Sequence, residues 1–180
     1  MKLRLILGDQ LNLNHSWYST KKEDTLYVMY ELNQEAKYVV HHIQKIVAFF
    51  SAMQGFAADL RSQGHQVLYF DINTKESKKS LEENIKELIA EKGIIKFEYQ
   101  LPDEYRLDQQ LKGIAESLDI PSESFDSEHF LTARADLKTF FEGKKQLIME
   151  YFYRNMRKEY DILMEQGQPL GGQWNFDKNN

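Results

Sequence analysis

Acidic and amide side chains stand just beyond two apolar runs, where a ligand site would need them. Gly8, Asp9 and Gln10 follow the run Leu3-Arg4-Leu5-Ile6-Leu7, and Glu31, Asn33 and Glu35 follow Thr25-Leu26-Tyr27-Val28-Met29-Tyr30. Glycine lets a ligand approach the backbone closely. Asp9 and Glu35 can accept hydrogen bonds from a ring N–H or a hydroxyl, and Gln10 can both accept and donate. The same residues also serve as a turn glycine and helix caps, and spacing alone does not separate the two readings. Neither GxGxxG nor GxxxxGK[ST] occurs in the chain. Phosphate binding through a glycine loop is therefore disfavoured. A planar ring bearing hydroxyls suits these acidic loops better than a phosphate does.

Covalent chemistry has little to work with. The chain has no cysteine, which removes disulfides, thiolate nucleophiles, Cys-ligated zinc and iron–sulfur ligation within it. No GxSxG elbow is present. His41 and His42 look like a metal pair, but neighbours on a helix point about 100° apart, and no carboxylate completes a ligand set. A structural or polar-face role is expected for them. Residues 149–160 interleave Tyr151, Tyr153 and Tyr160 with Arg154, Arg157 and Lys158. That combination can follow phosphates and stack on bases. Alternatively the aromatics pack on the sheet or on a partner domain while the cations face water, the commoner fate of such a stripe. A net charge of −5 does not mark the surface as a whole for nucleic acid.

The elements that must position these residues follow from periodicity. At 180 residues, with 42% hydrophobic and 28% charged side chains, the chain reads as one soluble folded domain rather than a disordered one. Strands are expected over 3–7, 25–30, 67–70 and 94–99, with a short fifth strand near Phe125. Residues 9–24 read as a long polar loop with room for a helical turn. From 36 to 62, apolar residues at three- and four-residue steps (Val39, Ile43, Val47, Phe50, Met53, Phe56, Ala57, Leu60) predict one long amphipathic helix, stopped at Gly64. Ser80 and Glu83 form a capping-box pattern before a helix that runs to Gly93. Further helices are expected over 103–118 and 146–165. Strands alternating with helices make a parallel sheet joined by right-handed crossovers the economical topology. The expected fold is thus an α/β, Rossmann-like or flavodoxin-like parallel sheet of about five strands flanked by helices. The opening apolar run is too short for a signal peptide's core or a membrane span, which makes a cytoplasmic location the default and a membrane partner unexpected. No domain boundary is visible before Gly167. Residues 167–180, with Gly171, Gly172, Trp174 and Phe176, read as a linker that leaves bulky apolar rings exposed.

Several of these stretches together resemble a known family. They are Leu5-Ile6-Leu7-Gly8-Asp9-Gln10-Leu11, Tyr38-Val39-Val40-His41-His42-Ile43-Gln44-Lys45-Ile46 and Phe50-Ser51-Ala52-Met53. Met149-Glu150-Tyr151-Phe152-Tyr153-Arg154-Asn155-Met156-Arg157 and Gly171-Gly172-Gln173-Trp174-Asn175-Phe176-Asp177 complete the set. In this order they span nearly the whole chain, and the last two are specific. The sequence resembles the N-terminal domain of deoxyribodipyrimidine photolyase-related proteins, the group of iron–sulfur bacterial cryptochromes and prokaryotic (6-4) photolyases. The resemblance implies an α/β domain over 1–166 that binds an antenna pigment, 6,7-dimethyl-8-ribityllumazine, at the loops after the first strands. Gly8, Asp9, Gln10, Tyr30 and Glu35 occupy the matching positions, with Asp9 and Glu35 as its hydrogen-bonding partners. Tyr30 departs from the pattern, in which a smaller side chain can stand; its ring would either stack on the pigment or partly fill the pocket. It further implies a C-terminal helical domain in cis, beginning after 167–180 and holding FAD and a [4Fe–4S] cluster. That whole protein would repair pyrimidine dimers in DNA with light, or sense blue light, while this chain alone would be inactive. Tyr151, Tyr153, Arg154, Arg157, Lys158 and Trp174 are then candidates for contact with DNA or with the catalytic domain. Two other readings remain open: a pigment-free packing module, and a stand-alone nucleotide- or flavin-binding α/β protein.

Overall fold

A computed structural model describes residues 1–37 and 39–176. These residues form two compact units, Met1–Phe130 and a second that starts at Leu131. That division lies well upstream of Gly167, because the aromatic helix groups with the tail and not with the sheet.

The first unit is built on five parallel strands: β1 (Lys2–Leu5), β2 (Thr25–Tyr30), β3 (Gln66–Phe70), β4 (Lys96–Gln100) and β5 (Ser122–Phe125), in the order β3-β2-β1-β4-β5. The Rossmann-like α/β expectation holds. All six residues of β2 are buried, as a strand covered on both faces requires. On one face Leu3, Leu5, Leu26, Val28, Phe97 and Tyr99 pack under α3 (Leu81–Lys92) and α4 (Tyr105–Ser117). On the other, Ile6, Tyr27, Met29 and Val67 meet α2 (Ile43–Ser62) through Met53, Phe56, Ala57 and Leu60. The loop of 9–24 adds a single helical turn, Ser16–Tyr18, that sinks Trp17 and Tyr18 into this second face.

The capping box at Ser80 and Glu83 is formed, and Gly93 ends α3 at φ 61°, where glycine carries no Cβ penalty. The long helix expected over 36–62 is instead two elements. A short α1 (Asn33–Lys37) ends before the described residues 39–42, which are not helical, and α2 begins at Ile43. The physical reason is His42: its backbone is extended and its Nδ1 accepts the Gln44 N–H at 3.2 Å, so it is an N-cap. His41 and His42 therefore precede the helix, and among the described residues no group of His, Asp and Glu is gathered to hold a metal. The apolar stripe divides accordingly. Its second half is core, while Val39, Ile43 and Val47 stay exposed.

The second face also buries a charged pair that the sequence reading missed. Arg4 and Glu98 are register partners on β1 and β4, and Arg4 Nε donates to Glu98 Oε2 at 2.7 Å. Arg4 Nη1 also reaches the Trp17 carbonyl and the Tyr27 hydroxyl, at 3.3 and 3.2 Å. Its guanidinium lies 4.6 Å from the Trp17 ring centre. Burial alone would raise the Glu98 pKa, but the hydrogen bonds from Arg4 and Lys96 outweigh it and hold the carboxyl below the usual range.

The second unit contains α5 (Arg134–Phe141), α6 (Met149–Glu159) and a two-stranded hairpin, β6 (Met164–Glu165) with β7 (Gln168–Pro169). Neither α5 nor the hairpin is evident from sequence periodicity. Among the described residues no helix is long and apolar enough to cross a membrane.

Candidate functional site

The chain leaves β1 toward β2 and β3 on one side, then crosses to β4 and β5 on the other, so the sheet reverses direction between β1 and β4. Ligands of such folds sit beyond the carboxyl ends of the strands at that reversal. A cleft of about 200 Å³ opens there. Its floor is Leu5 to Asp9, just after β1. One wall comes from Tyr30, Gln34 and Glu35 after β2, and another from Glu104, Arg106 and Leu107 at the start of α4. Ile46, Phe49, Phe50 and Met53 of α2 close the third side with apolar surface. An apolar cavity with a few convergent polar groups is the usual form of a small-molecule site.

Four of the five expected ligand residues, Gly8, Asp9, Tyr30 and Glu35, line this cleft. Gly8 is there for close approach. A Cβ on it would lie 2.3 Å from Phe49 Cε1 and 2.8 Å from Met53 Sδ. Asp9 sits at the rim with its carboxyl pushed up, first by partial desolvation and then by the charge of Asp103, while its backbone hydrogen bond pulls the other way. Tyr30 stacks on Phe70, with ring centres 5.0 Å apart and planes 9° from parallel. Burial drives its hydroxyl well above the ordinary tyrosine range. Its ring thus packs within the core and forms the cleft wall from there. Glu35 is ion-paired with Arg106 at 2.7 Å.

Gln10 does not join them. It is buried, its Oε1 accepts the Leu7 N–H at 3.0 Å, and its Nε2 donates to the Gln100 carbonyl at 3.2 Å. It braces the β1 loop against β4 instead of facing the cleft. Sequence reasoning missed Arg106, Glu104, Lys45 and Phe49. The first three lie on or at the start of helices far apart in the chain, and only the order of the strands brings them to one mouth.

Behind the cleft a second buried acid anchors its α2 wall. Glu31 accepts from Gln54 Nε2 at 2.9 Å, from the Ile72 N–H at 2.8 Å and from the Tyr69 hydroxyl. Three donors satisfy a buried carboxylate that would otherwise be costly.

The basic and aromatic residues of α6 are arranged differently from a phosphate track. Arg157 is buried, and its guanidinium donates to the carbonyls of Ile162 (3.1 Å) and Leu163. Arg154 is paired with Glu150 at 2.9 Å. Trp174 is half-buried, with Arg154, Arg157 and Lys158 between 5.2 and 5.5 Å of its ring centre. The expectation of an exposed Trp174 is therefore corrected, since cation–π contact within the unit occupies it. Residues 164–172 are likewise a hairpin and a short helical turn rather than open linker. Phe176 does remain exposed, and Asp177 to Asn180 lie outside the described residues. Tyr151, Tyr153, Lys158 and Tyr160 are the exposed part of the strip.

Arg157 also supports unfavourable backbone. Asp161 and Leu163 have φ of 52° and 53°, the left-handed region that disfavours side chains. Arg157→Ala should destabilise the second unit by about 2–3 kcal/mol, the loss of the charge-assisted bonds made by its buried guanidinium. Limited proteolysis should then cut near 160–167 in the variant well before it cuts the wild type.

Comparison with known proteins places residues 4–180 in a match to the family model described as deoxyribodipyrimidine photo-lyase-related protein. A (6-4) photolyase of Agrobacterium fabrum is 37% identical over 181 residues, covering 99% of this chain and 36% of that protein. An uncharacterised protein of Acanthamoeba polyphaga mimivirus is 24% identical over 163 residues, covering 88% of this chain and 78% of that one. The chain thus spans little more than a third of the length of the first relative.

Proposed function

Because the chain belongs to the deoxyribodipyrimidine photolyase-related protein family, we propose that it is the antenna-binding domain of a photolyase-like protein. The observation that carries this reading is the cleft at the β1/β4 reversal, where Gly8, Asp9 and Glu35 converge between apolar walls. These residues fit a planar ring carrying a polyol chain, such as 6,7-dimethyl-8-ribityllumazine. Gly8 lets Phe49 and Met53 close tightly over the β1 loop, the walls cover a ring's faces, and the two acids accept from ring N–H or ribityl hydroxyls. When bound, such a pigment absorbs light and passes its excitation to a flavin. The chain's own contribution is to hold the pigment, fix its orientation and exclude water from it.

Light-driven repair of pyrimidine dimers belongs, on this proposal, to a whole protein with a helical FAD and [4Fe–4S] domain and damaged DNA as its substrate. Without cysteine, this chain supplies no thiolate to a cluster. A pigment-free packing role is the second reading. It draws on apolar side chains left open at the surface, among them Phe130 at 67% exposure and Leu147 at 69%.

Titration of the purified chain with the lumazine, followed by absorbance and fluorescence, decides between them. Saturable binding is expected, weakened roughly tenfold or more by Asp9→Ala or Glu35→Ala, the scale of one hydrogen bond to a charged acceptor. A folded chain that binds no pigment would leave only the packing role.

A further inference from the structure

Glu35 does not stand alone at the cleft. Arg106 reaches it from the first turn of α4, with Nη1 3.2 Å from Oε1 and Nη2 2.7 Å from Oε2. Glu104 holds the same guanidinium through Nε at 3.1 Å and Nη2 at 3.2 Å. Gln34 Nε2 donates to Glu35 Oε1 as well, at 3.1 Å. A carboxylate oxygen has two good acceptor positions. Oε1 is therefore filled by two donors, whereas among the described residues Oε2 accepts from Arg106 alone. One acceptor position on Oε2 is left for a donor that enters the cleft.

The fork matters here more than the charge. Two parallel N–H···O bonds fix the plane of a carboxylate, and a lysine ammonium, a rotatable point charge, does not. The side chains of Arg106 and Glu35 remain 39% and 32% exposed, so the pair adds little to stability. What it does is orient. It ties α1, which follows β2, to the start of α4, and both line the same cleft as the end of β1.

We infer, on the footing of the antenna-site reading, that Arg106 is a positioning residue that aims Glu35 Oε2 at a single N–H of the ligand. The chemical class it selects is a planar heteroaromatic ring with one imide-type N–H between two carbonyls. A site built to meet a donor rejects the analogue that lacks it, because the acceptor is then desolvated without a partner.

The test compares a lumazine carrying the free imide N–H with its N-methylated counterpart, by fluorescence titration and anisotropy. The proteins are the wild-type chain, Arg106→Lys, Arg106→Gln and Glu35→Gln, with folding checked by circular dichroism and melting temperature. The wild type should prefer the free N–H ring by roughly ten- to a hundredfold, the range of a hydrogen bond to a charged acceptor. All three variants should lose most of that preference with little change in melting temperature, and the bound ring should show lower anisotropy. Restored preference in Arg106→Lys would mean that charge alone suffices, and would overturn the inference while the antenna reading stands. Preference retained in Glu35→Gln would assign the N–H to another acceptor and overturn it equally. A wild-type chain that binds neither ring removes both the reading and the inference.

Discussion

Glu98→Ala is expected to destabilise the Met1–Phe130 unit by roughly 3–5 kcal/mol, the cost of leaving a buried charge without its partner. The Arg4 guanidinium would stay in the core, 4% exposed, with the Trp17 carbonyl and Tyr27 hydroxyl as its remaining acceptors among the described residues. Arg4→Ala should cost less, about 3 kcal/mol at most. Glu98 then still has Lys96 at 3.0 Å and Lys2 at 3.8 Å, both partly in solvent. Removing both charges at once, as Arg4→Met with Glu98→Leu, should recover most of the loss, since apolar isosteres escape the desolvation penalty. Urea unfolding at neutral pH measures all three. Equal losses for the two single variants would refute the asymmetry that the lysines impose.

The same pair fixes how the unit responds to acid. The folded-state pKa of Glu98 is depressed, so its contribution is full above the ordinary glutamate value of 4.5. It is lost as the pH falls through the lower folded value, where the proton that unfolding would take up must also be accepted by the native state. The wild type should therefore lose stability on acidification below about 4.5 more steeply than the Arg4→Met/Glu98→Leu variant.

How much of this was legible in the sequence depends on whether a signal is local. The first four strands were readable because their runs are rich in apolar and aromatic residues, whereas β5, Ser122–Phe125, left only a weak signal near Phe125; α3 was readable because Ser80, Glu83 and Gly93 state its two ends. The interruption before α2 was hidden, because the apolar stripe continues through 39–47 and its period matches a helix. His42 stops that helix through a side-chain bond, which periodicity does not register. Arg4 and Glu98 did leave a trace. Each is the one charged residue flanked by apolar or aromatic neighbours near the centre of its strand, in Leu3-Arg4-Leu5 and Phe97-Glu98-Tyr99, with opposite signs. Recognising them as a pair needed the knowledge that β1 lies beside β4. Arg106 is the same case on a larger scale. It is 71 residues from Glu35, and only the crossover that returns the chain from β3 to β4 brings them together. Gln10 misled for the opposite reason. Its place after β1 is right for a ligand contact, but its side chain turns back to close the loop that carries Gly8 and Asp9.

Gly8 lies on the floor of the cleft, and a substitution there probes the proposed site by crowding it. An added methyl would lie 2.3 Å from Phe49 Cε1, 2.8 Å from Met53 Sδ and 3.0 Å from Phe49 Cζ, so both side chains must yield. They are able to, because Phe49 is 41% exposed and methionine is unbranched. Gly8→Ala should therefore cost about 1 kcal/mol or less in stability, and Gly8→Val about 1–3 kcal/mol as overpacking. Binding has no such relief. Phe49 and Met53 both line the cleft, so displacing them disturbs a wall of the ligand site. Pigment affinity should fall by roughly tenfold in Gly8→Ala, and further in Gly8→Val, the scale of one lost or misplaced apolar contact per methyl. A compensating change separates this crowding from general damage. Phe49→Ala in the Gly8→Val background empties much of the space the valine needs, so stability should return although the lost wall keeps affinity low. If the double variant is no more stable than Gly8→Val alone, the glycine serves the backbone of the loop rather than the packing against Phe49.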